Sequence, residues 1–220
     1  MKKLFKFGED VEGYNIPVLN EREVRAAAGI LFLFLFISLM LIIFKQNFTF
    51  LKYNITIFLT DFLLRVFVNP RFAPSLIIGR IIVSNQTPEY VGAPQKKFAW
   101  IIGVVLAIIM FIMFNIVNAY SPITGIICMI CLVFLFFESV FGICLGCLFY
   151  PLFFKEKIQL CPGDVCEPKA KQAIQKVSKV QIFVVLGLIA YIFLLVYVCN
   201  NHFTEKPYDL FGIESHTPAK

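Results

Sequence analysis

Charge is what this sequence has least of. Only 15% of its 220 residues are Asp, Glu, Lys or Arg, and it has a single tryptophan and two histidines. A soluble domain of this size could not hide the rest, because 59% of the chain is hydrophobic and 26 residues are Phe. Lipid is therefore the expected solvent. The net charge of +6 is too modest to indicate a nucleic-acid partner. An internal repeat is missing. So is the cleavage pattern of a signal peptide, since the first apolar run ends in Phe44-Lys45-Gln46-Asn47 rather than small residues.

What is present is a series of long apolar runs, and the expected class is an all-α polytopic membrane helix bundle of about five spans. After a polar segment, residues 1–25, the run Ala26 to Phe44 gives about 28 Å of helix, close to the roughly 30 Å hydrocarbon core. Phe48 to Val68 is a weaker second span because it carries Asp61 and Arg65. Their i, i+4 spacing puts both on one helix face, either as an ion pair near the interface or as a buried pair lining a site. Pro70 and Pro74 break the helix, and Ser75 to Val83 is too short to span, so an in-plane or re-entrant segment is expected. Phe98 to Val117 is the third span, with Trp100 as an interfacial anchor. Ser121 then serves as N-cap and Pro122 as the first residue of the fourth.

That fourth run is too long. A straight helix from Pro122 to Tyr150 would measure about 43 Å, so it must tilt, protrude or break, and Gly142 and Gly146 are the places for a break. Val180 to Cys199 is the fifth span. The resulting organisation is a four-span domain over 26–151, a loop over 152–179, the fifth helix over 180–199 and a polar tail over 200–220. Lysines and arginines assign the sides. With the N-terminus inside, 16 fall on inner segments, and only Lys45, Lys52, Lys206 and Lys220 fall outside. The N-terminus and the 152–179 loop are thus expected to be cytoplasmic, and the tail periplasmic or extracellular.

Seven cysteines in such a chain are not a secreted disulfide framework. Cys128, Cys131 and Cys199 lie inside apolar runs, where a thiol is usually a small core hydrophobe. Cys144, Cys147, Cys161 and Cys166 cluster around one loop. Cys144 and Cys147, at i and i+3, share one side of a helical turn and can meet as a redox pair, with Cys161 and Cys166 as a second pair. The helix end is unfavourable for a thiolate, unless the helix breaks and a new turn starts. The same four residues have spacing compatible with a tetrahedral zinc site, so zinc is the cofactor to test. Glu138 is costly in this helix and should face the interior, in a packing or ion-pair role with Arg65 or Arg80. On a regular helix Cys147 falls on the opposite face, so Glu138 is not assigned as its base.

Laid out in order, Asp61-x3-Arg65, Arg71-Phe72-Ala73-Pro74-Ser75, Ala93-Pro94, Lys97-Phe98-Ala99, Glu138 and Gly142-x-Cys144-x-Gly146-Cys147 with Tyr150 form a pattern. It resembles the bacterial membrane proteins grouped as the domain of unknown function 4395, over roughly Asn20 to Pro151. The resemblance implies a four-span-like architecture, a bacterial inner membrane and no established activity, with the fifth span as an extension. Three functions follow as expectations. The first is thiol–disulfide or sulfur transfer through Cys144 and Cys147, with a thioredoxin-like or sulfurtransferase partner. The second is a scaffold with a four-thiolate zinc site. The third is a small transporter using Asp61, Arg65 and Glu138.

Overall fold

The computed structural model describes residues 7–11, 16–148, 150 and 177–209. Strand β1 (Val18–Asn20) runs directly into helix α1 (Glu21–Lys45). Asn20 caps α1 by accepting a hydrogen bond from the Arg22 N–H, and Glu21 and Glu23 occupy its first turn. Both features favour a helix start, since they satisfy or complement the exposed N–H groups there. At the far end Gln46 adopts a left-handed conformation and its N–H bonds back to the Ile42 carbonyl. Helix α2 (Thr49–Leu63) follows and runs on through a π-helical turn, Leu64–Val68.

A 3-10 turn at Pro70–Phe72 leads to the short helix α3 (Pro74–Ile82). Strand β2 (Tyr90–Gly92) opens helix α4 (Ala93–Phe111), which also ends in a π turn, Ile112–Ile116. Strand β3 (Ala119–Tyr120) precedes helix α5 (Pro122–Phe136), closed by a third π turn, Phe137–Phe141. Ser121 and Thr124 form a reciprocal capping box at the start of α5. The four-residue helix α6 (Leu145–Leu148), helix α7 (Lys179–Thr204) and strand β4 (Tyr208–Asp209) complete the described chain. Helix α7 thus continues past Cys199, and residues 200–204 of the expected tail are helical.

Among the described residues, four helices are long and apolar enough to cross a membrane: Glu21–Lys45, Ala93–Ile116, Pro122–Phe141 and Lys179–Thr204. The chain is a polytopic membrane helix bundle. Helix α2 with its π turn is not among those four, yet it runs the same course. Near its start Thr56 accepts a hydrogen bond from Asn115, at the end of α4. Near its finish the Arg65 guanidinium lies 5.1 Å from the ring of Trp100, at the start of α4. Trp100, expected at the interface, is 3% exposed and belongs to the core.

The core is built by α1, α2, α4 and one side of α5, through Leu31 and Leu35, Leu51 and Phe62, Val104 and Phe114, and Cys128 and Leu135. Ala27 and Ala28 keep α1 slim where it meets α3. Helix α7 is different, since only Gln181 and Phe203, near its two ends, are buried. Phe183, Phe193 and Tyr197 between them are exposed, as suits a helix face in lipid.

Two small sheets hold the ends together. Antiparallel β1–β2 pairing aligns Val18 with Gly92 and Asn20 with Tyr90. Because each strand feeds straight into a helix, the first turns of α1 and α4 lie side by side. At the opposite end β3 and β4 pair in parallel, Ala119 with Tyr208.

Candidate functional site

The β1–β2 end of the bundle gathers nearly every buried charge. Lys96 is 1% exposed, one turn into α4, and its Nζ lies 2.9 Å from Glu21 Oε2 and 2.6 Å from Glu138 Oε1. Glu138 therefore pairs with Lys96 and not with the expected Arg65 or Arg80. Those arginines are engaged elsewhere. Arg80 Nη2 bonds Glu23 Oε2 at 3.0 Å, with Glu9 at 3.7 Å. Arg65 Nε bonds Asp61 Oδ2 at 2.8 Å.

The Asp61 carboxylate does more than neutralise Arg65. It accepts the Ser75 backbone N–H at 2.9 Å and the Ser75 hydroxyl at 2.6 Å, so it ties the end of α2 to the first turn of α3. Arg65 also donates to the Ser75 hydroxyl and stacks over Phe62, 4.5 Å from the ring centroid. Its buried charges are thus held by several bonds each, the condition under which such pairs are tolerated away from water. Within this arrangement Asp61 and Arg65 serve as a tie between helices.

The thiols sit at the same end. The third π turn stops at Gly142, whose φ of 68° is the left-handed conformation that glycine adopts without steric cost. The chain reverses there, and a fresh helical turn begins with Cys144 just before α6. Cys144 and Cys147 are joined as a disulfide, with Cα atoms 5.1 Å apart. The break changes two expectations. The Cys147 backbone N–H donates to Cys144 Sγ at 3.2 Å, so Cys144 lies at the start of a helical turn rather than at the unfavourable end of a long helix. Once the disulfide opens, that N–H is a donor for negative charge on the Cys144 sulfur.

The second change concerns Glu138. A regular helix would point it away from the cysteines, but the reversal at Gly142 brings Glu138 and Cys144 to one crevice of about 50 Å³, with Phe62, Trp100 and Cys131 also on its wall. Gly146 anchors the turn from below: a Cβ there would come within 2.7 Å of the Ala99 Cβ, so only glycine allows this approach to α4. Cys147 is 8% exposed and its Sγ lies 3.6 Å from the Gln95 carbonyl oxygen, an acceptor ready for a reduced thiol. Cys144 is half-buried. Tyr150 is buried and packs edge-on against Phe98.

A family model, the domain of unknown function DUF4395, matches residues 19–155. The chain belongs to that family. No curated protein and no solved structure matches the chain. The DUF4395 region contains Asp61, Arg65, Glu138, Cys144 and Cys147, whereas Cys161, Cys166 and α7 lie beyond it. Cys161 and Cys166 also lie outside the described residues, so the expected quartet cannot be placed. Among the described residues no group of three or more His, Cys, Asp or Glu could hold a metal ion. Cys128 and Cys131 are free thiols in α5.

Sequence reasoning missed Lys96, Glu21 and Ser75 as partners of the intramembrane charges. Only Ser75 had a local signal, since it follows Pro74 at a helix start.

Proposed function

We propose that this DUF4395 protein carries out thiol–disulfide exchange through Cys144 and Cys147 at the cytoplasmic boundary of a bacterial inner membrane. The observation that carries the reading is the asymmetry of the joined pair: Cys144 is half-buried at a crevice, and Cys147 is buried against the Gln95 carbonyl. That division suits an entering thiol and a resolving thiol.

In the reducing direction the Cys144 thiolate attacks a partner disulfide. An S–S bond forms between Cys144 and the partner, whose second sulfur leaves as a thiolate. The Cys147 thiolate then attacks Cys144 Sγ, closing the internal disulfide and releasing the partner as a dithiol. Two electrons pass to the partner, and the reverse order oxidises a dithiol. A thioredoxin-like protein fits this chemistry. The sidedness rests on the 16-to-four distribution of basic residues, and is supported by the start of α1, the cysteine turn and the start of α7 sharing one end of the bundle.

The test is alkylation mapping of the purified protein. Both thiols should label after reduction and be protected together after mild oxidation. Cys147→Ser should trap mixed disulfides on Cys144, and Cys144→Ser should not trap them on Cys147. A zinc site would instead protect the cysteines in reducing buffer until a chelator is added. Labelling unchanged by either treatment would overturn the exchange reading.

A further inference from the structure

Beside the cysteine turn, on the far side of α1, lies an open groove of about 470 Å³ whose walls are Arg22 and Arg25 of α1, Gln86 and Glu89 before β2, and Ser139 and Val140 of the third π turn. Gly29 and Ala26 form its floor. Arg22 reaches Glu89 and Gln86 with its two terminal nitrogens, and its Nε is buried without a hydrogen-bond partner among the described residues. Arg25 donates one hydrogen bond, to the Val140 carbonyl at 3.0 Å. Two guanidiniums thus line the groove with a single carboxylate, Glu89, which pairs with Arg22, and Arg25 leaves the lining with an excess of positive charge.

Its position matters as much as its charge. It lies between α1 and the α5 π turn, and outward-facing apolar side chains adjoin it: Val140 of its wall is 51% exposed, and Ile82 and Phe141, the chain neighbours of the lining residues Val83 and Val140, are 58% and 56% exposed. A soluble protein would not leave these together at a basic groove, whereas a membrane protein has acyl chains to cover them. We propose that the groove binds one anionic phospholipid, with its phosphate on Arg25 and Arg22 and its chains along Ile82, Val140 and Phe141. Guanidinium forks match phosphate oxygens in geometry as well as charge. This site stands whether or not Cys144 and Cys147 exchange disulfides.

The experiment is native mass spectrometry of the full chain released from nanodiscs containing equal phosphatidylglycerol and phosphatidylcholine. The expected result is one retained phosphatidylglycerol per chain. Arg25→Gln should lower its retention roughly fivefold, the share of one basic residue at a membrane surface. Gly29→Leu should lower it by a similar factor with both arginines intact. A Cβ at Gly29 would meet only Ser139, at 3.7 Å, so this change fills the groove without a clash at the backbone. Both variants are compared at matched melting midpoints, and either one that folds decides the matter. Equal retention of phosphatidylcholine, or retention untouched by either substitution, overturns the proposal. So does displacement of the lipid by excess inorganic phosphate, which would mark a site for a soluble anion.

Discussion

The two ends of this bundle bury their cations in different ways. At the β1–β2 end, Arg65 meets one carboxylate, and Arg80 and Lys96 meet two each. At the β3–β4 end, Lys52 is fully buried, yet its hydrogen bonds go to Asn118 Oδ1 at 2.7 Å and to the Glu205 and His202 carbonyls at 2.7 and 3.5 Å. His202 adds a bond from its ring to the Asn115 carbonyl at 2.6 Å. Ion pairs lock one end, and a cation on the final carbonyls of α7 clasps the other. The difference decides what a deletion leaves behind: a stranded charge at the first end, an unpaired carbonyl at the second.

The largest effect is expected at Lys96. Lys96→Met leaves Glu21 and Glu138 facing one another without their cation, a cost of about 3–5 kcal/mol for a broken buried pair. Folded yield in detergent and the melting midpoint should both fall sharply. Adding Glu21→Gln and Glu138→Gln should recover part of the loss, and no recovery would mean that the charge itself is not the cause.

A smaller loss is expected for Arg65→Ala, roughly 3 kcal/mol, because Asp61 keeps its two bonds from Ser75. Combining Asp61→Asn with Arg65→Gln should restore some stability. If the two single losses simply add, the pair is uncoupled.

The smallest of the three is Lys52→Met, about 1–3 kcal/mol for carbonyls left without a donor. Its signature is local: hydrogen exchange should quicken over residues 200–209 and stay unchanged over 93–100. Exchange rising equally at both ends would erase the distinction between them.

Much of the architecture is legible in the sequence because it follows from local pattern. Asp61 and Arg65 meet because four residues make roughly one helical turn, and α5 starts at Pro122 because Ser121 can cap it. The long apolar run must break, and Gly142 is where it does. The rest depends on distant contacts. Nothing near Lys96 announces Glu138, 42 positions away, or the strand pairing that brings Glu21 alongside. Helical-wheel reasoning separates Glu138 from the cysteine turn because it assumes an unbroken α-helix, and a π turn with a left-handed glycine defeats that assumption. Lys52 reads only as one of four outside basic residues, since its acceptors come from two remote loops and α7.

The Lys52 clasp also sets an order of manufacture. A chain is made and inserted from its N-terminus, so α2 reaches the bilayer long before residues 179–209 exist. Asp61 and Arg65 neutralise each other within a single turn and are ready at once. Lys52 is not, because two of its three acceptors, His202 and Glu205, are made 150 and 153 residues later. A chain halted after α5 leaves Lys52 with Asn118 alone of its three acceptors. Arrival of α7 supplies the other two and closes the clasp.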